Sequence, residues 1–159
     1  MFIVDANVFM QAANSYYAFD IVPRFWTWME GRLGHDLFTV VPVGAEILAQ
    51  SDELSDWFKG VTNPNWVLAV DDQATQLQMP VIAKHCVDYG YKPAGIAKFL
   101  SGADPWVIAQ AREKGWTVVT QEIAQPETRK RVKIPDVCDN LNVKNILVFD
   151  MLRKLSFSA

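Results

Sequence analysis

Residues 103–122 read ADPWVIAQAREKGWTVVTQE, and their punctuation decides the fold. Asp104-Pro105 opens a helix, Val107, Ile108 and Ala111 mark its apolar face, and Gly115 closes it. Trp116 to Thr120 then reads as a strand apolar on both faces, with Glu122 two residues beyond its end. A helix feeding a doubly buried strand is half of a parallel βαβ unit. Working outward, Phe2-Ile3-Val4, Leu37 to Val41 and Trp66 to Val70 read as three more strands of the same kind. A fifth lies either at Val132-Lys133-Ile134 or at Asn145 to Phe149. Between them apolar residues recur at helical spacing. Phe25, Trp28, Met29 and Leu33 follow Pro23 and stop at Gly34, and Ile47, Leu54, Trp57 and Phe58 stop at Gly60. Gln11 to Val22 reads as an irregular or helical insertion, and Lys92 to Gly102 as a looser approach to the Asp104 helix. The alternation predicts one α/β domain over residues 1–159, a three-layer α/β/α arrangement around a central parallel sheet.

Composition narrows the class. Half of the 159 residues are apolar, ample for one core. Cys86 and Cys138 stand far apart with no CxxC or CxxH pattern, which argues against a cysteine zinc site and a disulfide scaffold. Met1 runs into Phe2-Ile3-Val4 without a basic flank, unlike a signal peptide, and no apolar run approaches the ~20 residues of a membrane span. A soluble, cytoplasmic protein with no membrane partner is expected. The formal charge of −3 excludes a broad basic surface as a means of gripping nucleic acid.

The acids fall in a pattern. In a right-handed βαβ unit, strand C-termini and the following helix N-termini share one edge of the sheet. Asp5 follows the first strand, Glu46 lies at the start of the helix after the second, Asp104 caps its helix, and Glu122 follows the fourth strand. Each has an ordinary reading, as a helix cap for Asp5 and Asp104 or a solvated acid for Glu46 and Glu122. Together they converge on the edge where open sheets bind ligands. Two like charges about 4 Å apart repel by roughly 4 kcal/mol at an effective dielectric of 20. Such a cluster takes up protons or a cation, and oxygen-only donors suit Mg2+ or Mn2+. A bound divalent ion would also let an acidic protein approach a phosphodiester.

Phe2-Ile3-Val4-Asp5-Ala6-Asn7-Val8, the helix bearing Glu46-Ile47-Leu48, the Ala103 to Ala109 segment and Val118-Val119-Thr120-Gln121-Glu122 resemble, in this order, the four acidic positions of PIN-domain nucleases. The match spans most of residues 1–122, and the tail resembles a little-characterised PIN-like branch. The resemblance implies strand order 3-2-1-4-5 and Mg2+- or Mn2+-dependent hydrolysis of RNA by an activated water. It also implies a VapC-like toxin held by an antitoxin protein, in many cases as a homodimer. By position, Asp5, Glu46, Asp104 and Glu122 would be catalytic metal ligands, with Asn7 and Thr120 orienting the first and fourth acids or a ligand water. Ala6 stands where a hydroxyl residue is common and Glu122 where aspartate is common. Asp136 is a substitute for Glu122, although a turn role after Pro135 is the simpler reading.

Arg129, Lys130, Arg131 and Lys133 form the basic cluster, read as a solvated loop or as a rim for RNA phosphates; its shortness favours the loop. Trp28, Trp57, Trp66 and Trp116 fit core-facing patterns, whereas Trp106 is the exposed exception. His35 and His85 read as surface or packing residues. Two other functions are open. One is a PIN-like interaction module without catalysis. The other is a haloacid-dehalogenase-type phosphohydrolase with Asp5 as nucleophile, which Asn7 and the lack of lysine between Gly115 and Arg129 disfavour.

Overall fold

A computed structural model describes residues 1–158. Along the chain run β1 (Phe2–Val4), α1 (Ala6–Gln11), a π-helical turn (Ala12–Tyr16), α2 (Pro23–Glu30), β2 (Leu37–Val40), α3 (Val41–Leu48) and α4 (Glu53–Gly60). A 3-10 turn (Pro64–Trp66) leads to β3 (Val67–Leu68), α5 (Gln73–Gln76), α6 (Gln78–Asp88), α7 (Pro93–Ser101) and α8 (Asp104–Lys114). Then come β4 (Thr117–Val119), α9 (Ile134–Asn140), β5 (Asn145–Ile146) and α10 (Val148–Lys154).

The strands pair in parallel in the order β3-β2-β1-β4-β5, with helices on both sides, which is the PIN-like architecture. β1 is central. Ile3 pairs with Phe38 on one side and Val118 on the other, and Ile3, Val4, Val118 and Val119 are all buried. A central parallel strand covered on both faces must be apolar at every position, which is why the pattern shows no alternation. α8 packs across β1, β2 and β4 and carries Val107, Ile108 and Ala111 fully into the core. Gly115 ends it at φ +66°, a left-handed conformation that glycine adopts without strain.

Several expectations are corrected. The fifth strand is at Asn145–Ile146, while Ile134 starts α9. The Ile47 to Phe58 face divides into two helices. Asp52 breaks it by accepting a bond from the Ser55 N–H at 2.9 Å and capping α4. Residues 92–102 form a regular helix, α7, begun by Pro93. Asp104 is not a cap: Ala103 holds that position, and Asp104 is the first helical residue. Glu46 lies near the end of α3, because that helix starts directly after β2 at Val41-Pro42. Cys86 and Cys138 are free and buried. Among the described residues no helix is long and apolar enough to cross a membrane.

A candidate carboxylate site at the sheet edge

Asp5 leaves β1 at the N-cap position of α1, yet its side chain makes no capping bond. Its Oδ2 instead accepts a bond from the Thr120 hydroxyl, at 3.0 Å across the β1–β4 seam. Thr120 Oγ1 in turn accepts from the Glu122 N–H at 3.1 Å, so one hydroxyl ties the first acid to the chain bearing the fourth. Asn7 Oδ1 accepts from the Gln121 N–H at 3.0 Å and holds the same turn. Asn7 and Thr120 therefore both bind the 120–122 turn to the end of β1.

Asp5 is 1% exposed. Burial, and then the neighbouring charge of Asp104, raise its carboxyl well above the usual range, although the Thr120 bond opposes this. Asp104 is pushed up to about 6, first by burial and then by the charges of Glu122 and Glu46, against the pull of Lys133 and Arg131. The four acids thus share one electrostatic neighbourhood. A cavity of about 260 Å³ opens beside them, with Glu46, Asp104 and Glu122 on its lining.

The two glutamates are committed elsewhere. Glu46 Oε1 accepts from the Ala103 N–H at 3.0 Å and so anchors the start of α8 to α3. Glu122 accepts from the Ile134 N–H at 2.8 Å and from Lys133 Nζ at 3.1 Å, which turns it toward the first turn of α9. Among the described residues, no three acidic, histidine or cysteine side chains stand in a geometry ready to hold a metal ion. The donors nevertheless suit a hard divalent cation. Mg2+ is commonly held by one or two carboxylates, with water and substrate phosphate in its other positions. Asp5 and Asp104 offer two carboxylates whose burial and mutual repulsion a cation would relieve.

The basic loop divides by contact. Arg129 stacks 4.1 Å over Tyr89 and donates to the Pro126 and Thr128 carbonyls, so it is structural. Lys133 is paired with Glu122. Lys130 and Arg131 are exposed and line the same cavity as the acids, where Lys98 of α7 joins them. The loop is held there by backbone contact, since Lys92 N–H donates to the Arg129 carbonyl at 2.8 Å. A Cβ on Gly95 would come 2.4 Å from the Lys130 carbonyl oxygen, so α7 approaches this closely only with glycine. Lys98 escaped the sequence reading because α7 did; a regular helical period over 93–101 was the available signal. Asp136 is not part of the acid cluster. It sits buried in α9, and both its oxygens accept from the Gln125 N–H, bracing the loop between β4 and α9.

A family model described as "Domain of unknown function (DUF4411)" matches residues 2–159. No curated protein matches the chain. Among solved structures, the chain is similar to that titled "Crystal Structure of FitAcB from Neisseria gonorrhoeae". The TM-score is 0.55 at 13% identity, covering 92% of this chain and 96% of that one. At that identity the likeness is one of fold.

Proposed function

The chain belongs to the DUF4411 family, and from that premise we propose that it is a Mg2+- or Mn2+-dependent endoribonuclease, the toxin of a toxin–antitoxin pair. The observation that carries this reading is the pairing of buried Asp5 with half-buried Asp104 at the C-terminal edge of a PIN-like sheet, beside a cavity lined by Lys98, Lys130 and Arg131. Unpaired buried acids are costly to a fold, and sites that keep them use them.

Asp5 and Asp104 would hold the ion, with Glu46 and Glu122 reaching it directly or through water. When bound, the ion lowers the pKa of a water and offsets charge developing on the scissile phosphate. Thr120 and Asn7 keep Asp5 and the 120–122 turn in place. Lys98, Lys130 and Arg131 meet the phosphates of the strand and draw it against the acidic wall. The expected partners are RNA and an antitoxin protein.

Purified protein with Mn2+ should cleave single-stranded RNA and lose that activity to a chelator. Asp5→Asn and Asp104→Asn should each reduce cleavage by about a hundredfold or more, beyond the loss typical of an outer-shell partner. Cleavage unaffected by either substitution would refute the assignment. A second reading, a binding module without catalysis, draws on the Glu122–Lys133 pair, which keeps the fourth acid occupied. It predicts weak Mn2+ binding in calorimetry that Asp5→Asn leaves unchanged. The phosphohydrolase alternative is disfavoured further, because Asn7 is engaged with the Gln121 backbone.

A further inference from the structure

Five of the six tryptophans rest against another aromatic ring: Trp26 on Phe19, Trp28 on Phe157, Trp57 on Trp26, Trp66 on Phe58 and Trp116 on Phe38. Trp106 has no aromatic partner among the described residues and is half-exposed. It lies two positions beyond Asp104 in the first turn of α8, where a 100° step per residue turns it away from the acid. There it borders a groove of about 360 Å³ whose other walls are small, Pro42, Ala45 and Ala49 on the α3 side and Gly102 and Ala103 before α8. Glu46 and Gly102 line both this groove and the acidic cavity, so the two are adjacent. The Glu46 bond to the Ala103 N–H is part of the wall between them.

We propose that this groove is a nucleobase slot, in which one unpaired base next to the scissile phosphate stacks on the Trp106 indole. The inference rests on the nuclease reading and adds to it a residue that selects and positions the substrate. The small residues beside the indole leave room for a flat ring, and apart from the indole itself the side-chain hydrogen-bonding groups of the groove are only the Ser101 hydroxyl and the Glu46 carboxylate. A slot of this kind favours single strands and tolerates several bases. Its position next to the acidic cavity sets the occupant: a strand whose phosphate lies over Asp104 has its neighbouring base within reach of the groove.

The test uses the full chain with Mn2+ and short single-stranded oligoribonucleotides, intact or abasic at single positions beside the cleaved bond. Wild type should lose about tenfold in kcat/KM at one abasic position, mainly through KM. Trp106→Ala should lose a similar factor on intact RNA, become indifferent to that abasic position, and bind Mn2+ like wild type. Trp106→Phe should keep most of the activity. Ala45→Leu fills the groove from the α3 side with the indole in place, and should reproduce the loss even if Trp106→Ala folds poorly. No loss, or equal losses on intact and abasic RNA, would overturn the slot and leave the nuclease reading standing. If wild type cleaves none of the oligomers, the nuclease reading fails by itself, and the same cycle scored as binding affinity decides the slot.

Discussion

The aromatic layer around α2 and α4 and the carboxylate edge of the sheet are both largely buried, and they treat burial in opposite ways. In the aromatic layer Tyr17 stacks on Phe25 at 4.2 Å, Phe19 on Trp26 at 4.1 Å, and Trp26 meets Trp57 at 4.7 Å. Its polar atoms are satisfied as well. Trp26 Nε1 donates to the Tyr17 carbonyl at 2.7 Å and Trp57 Nε1 to Glu30 at 2.6 Å. At the sheet edge, buried Asp5 and half-buried Asp104 stand among other acids, and each is driven toward its neutral form. One region contributes stability through surface removed from water. The other gives stability up for a local concentration of negative charge. The difference separates residues that stabilise the fold from residues whose placement costs it stability.

Substitutions in the two regions should move stability in opposite directions. The largest effect is expected at Trp66, which is 2% exposed and packs against Phe9 and Phe58. Trp66→Ala should cost about 3–5 kcal/mol in urea unfolding. A loss below about 1 kcal/mol would mean that the aromatic layer is not the stabilising half.

Next in size is Asp104→Asn, with the opposite sign. A carboxyl that titrates near 6 when folded, against its ordinary 3.8, holds its proton more tightly in the native state. Its stabilising contribution is therefore complete below about pH 4 and is lost as pH rises through 6. By neutral pH the loss reaches roughly 3 kcal/mol. Metal-free Asp104→Asn should accordingly be more stable than wild type at pH 7–8, with the gap closing below pH 4. A gap independent of pH would break the comparison, and Mn2+ should narrow it by stabilising wild type alone.

Lys133→Met removes the cation from Glu122 and leaves the carboxylate with the Ile134 N–H alone, at a cost of about 2 kcal/mol. It should also move the Asp104 titration upward, since Lys133 is one of two cations holding it down. The smallest effect belongs to the aromatic side. Asp52→Ala removes the α4 cap and should cost about 1 kcal/mol with no dependence on metal.

The legible parts of the molecule are those where local pattern and tertiary role coincide. The β1, β2 and β4 strands were readable because apolar runs of that length have no other use in a parallel sheet. The edge position of Asp5 was readable because chain direction alone brings strand ends to one edge, whereas Asn7 and Thr120 entered only by resemblance. The α5–α7 region was not, since its helices rest mainly on other helices rather than on the sheet, and no strand between them marks their bounds. Glu122 shows the limit for side chains. Its position on the edge followed from the strand before it, while its commitment to Lys133 and Ile134 depends on where α9 begins.

The one-sidedness of the acids and the separation of core from edge follow from hydrophobic period and chain direction, which act within a few residues of each other, whereas the strand order entered by resemblance and is set by pairing between distant segments. Which cations face the acids, which tryptophan stays unstacked and how the glutamates are occupied depend on contacts between segments far apart in the chain. Lys98, Lys130 and Arg131 lie on one wall only because α7 and the 129–131 backbone touch at Gly95. A contact of that kind is set by packing in three dimensions and leaves no periodic trace along the chain.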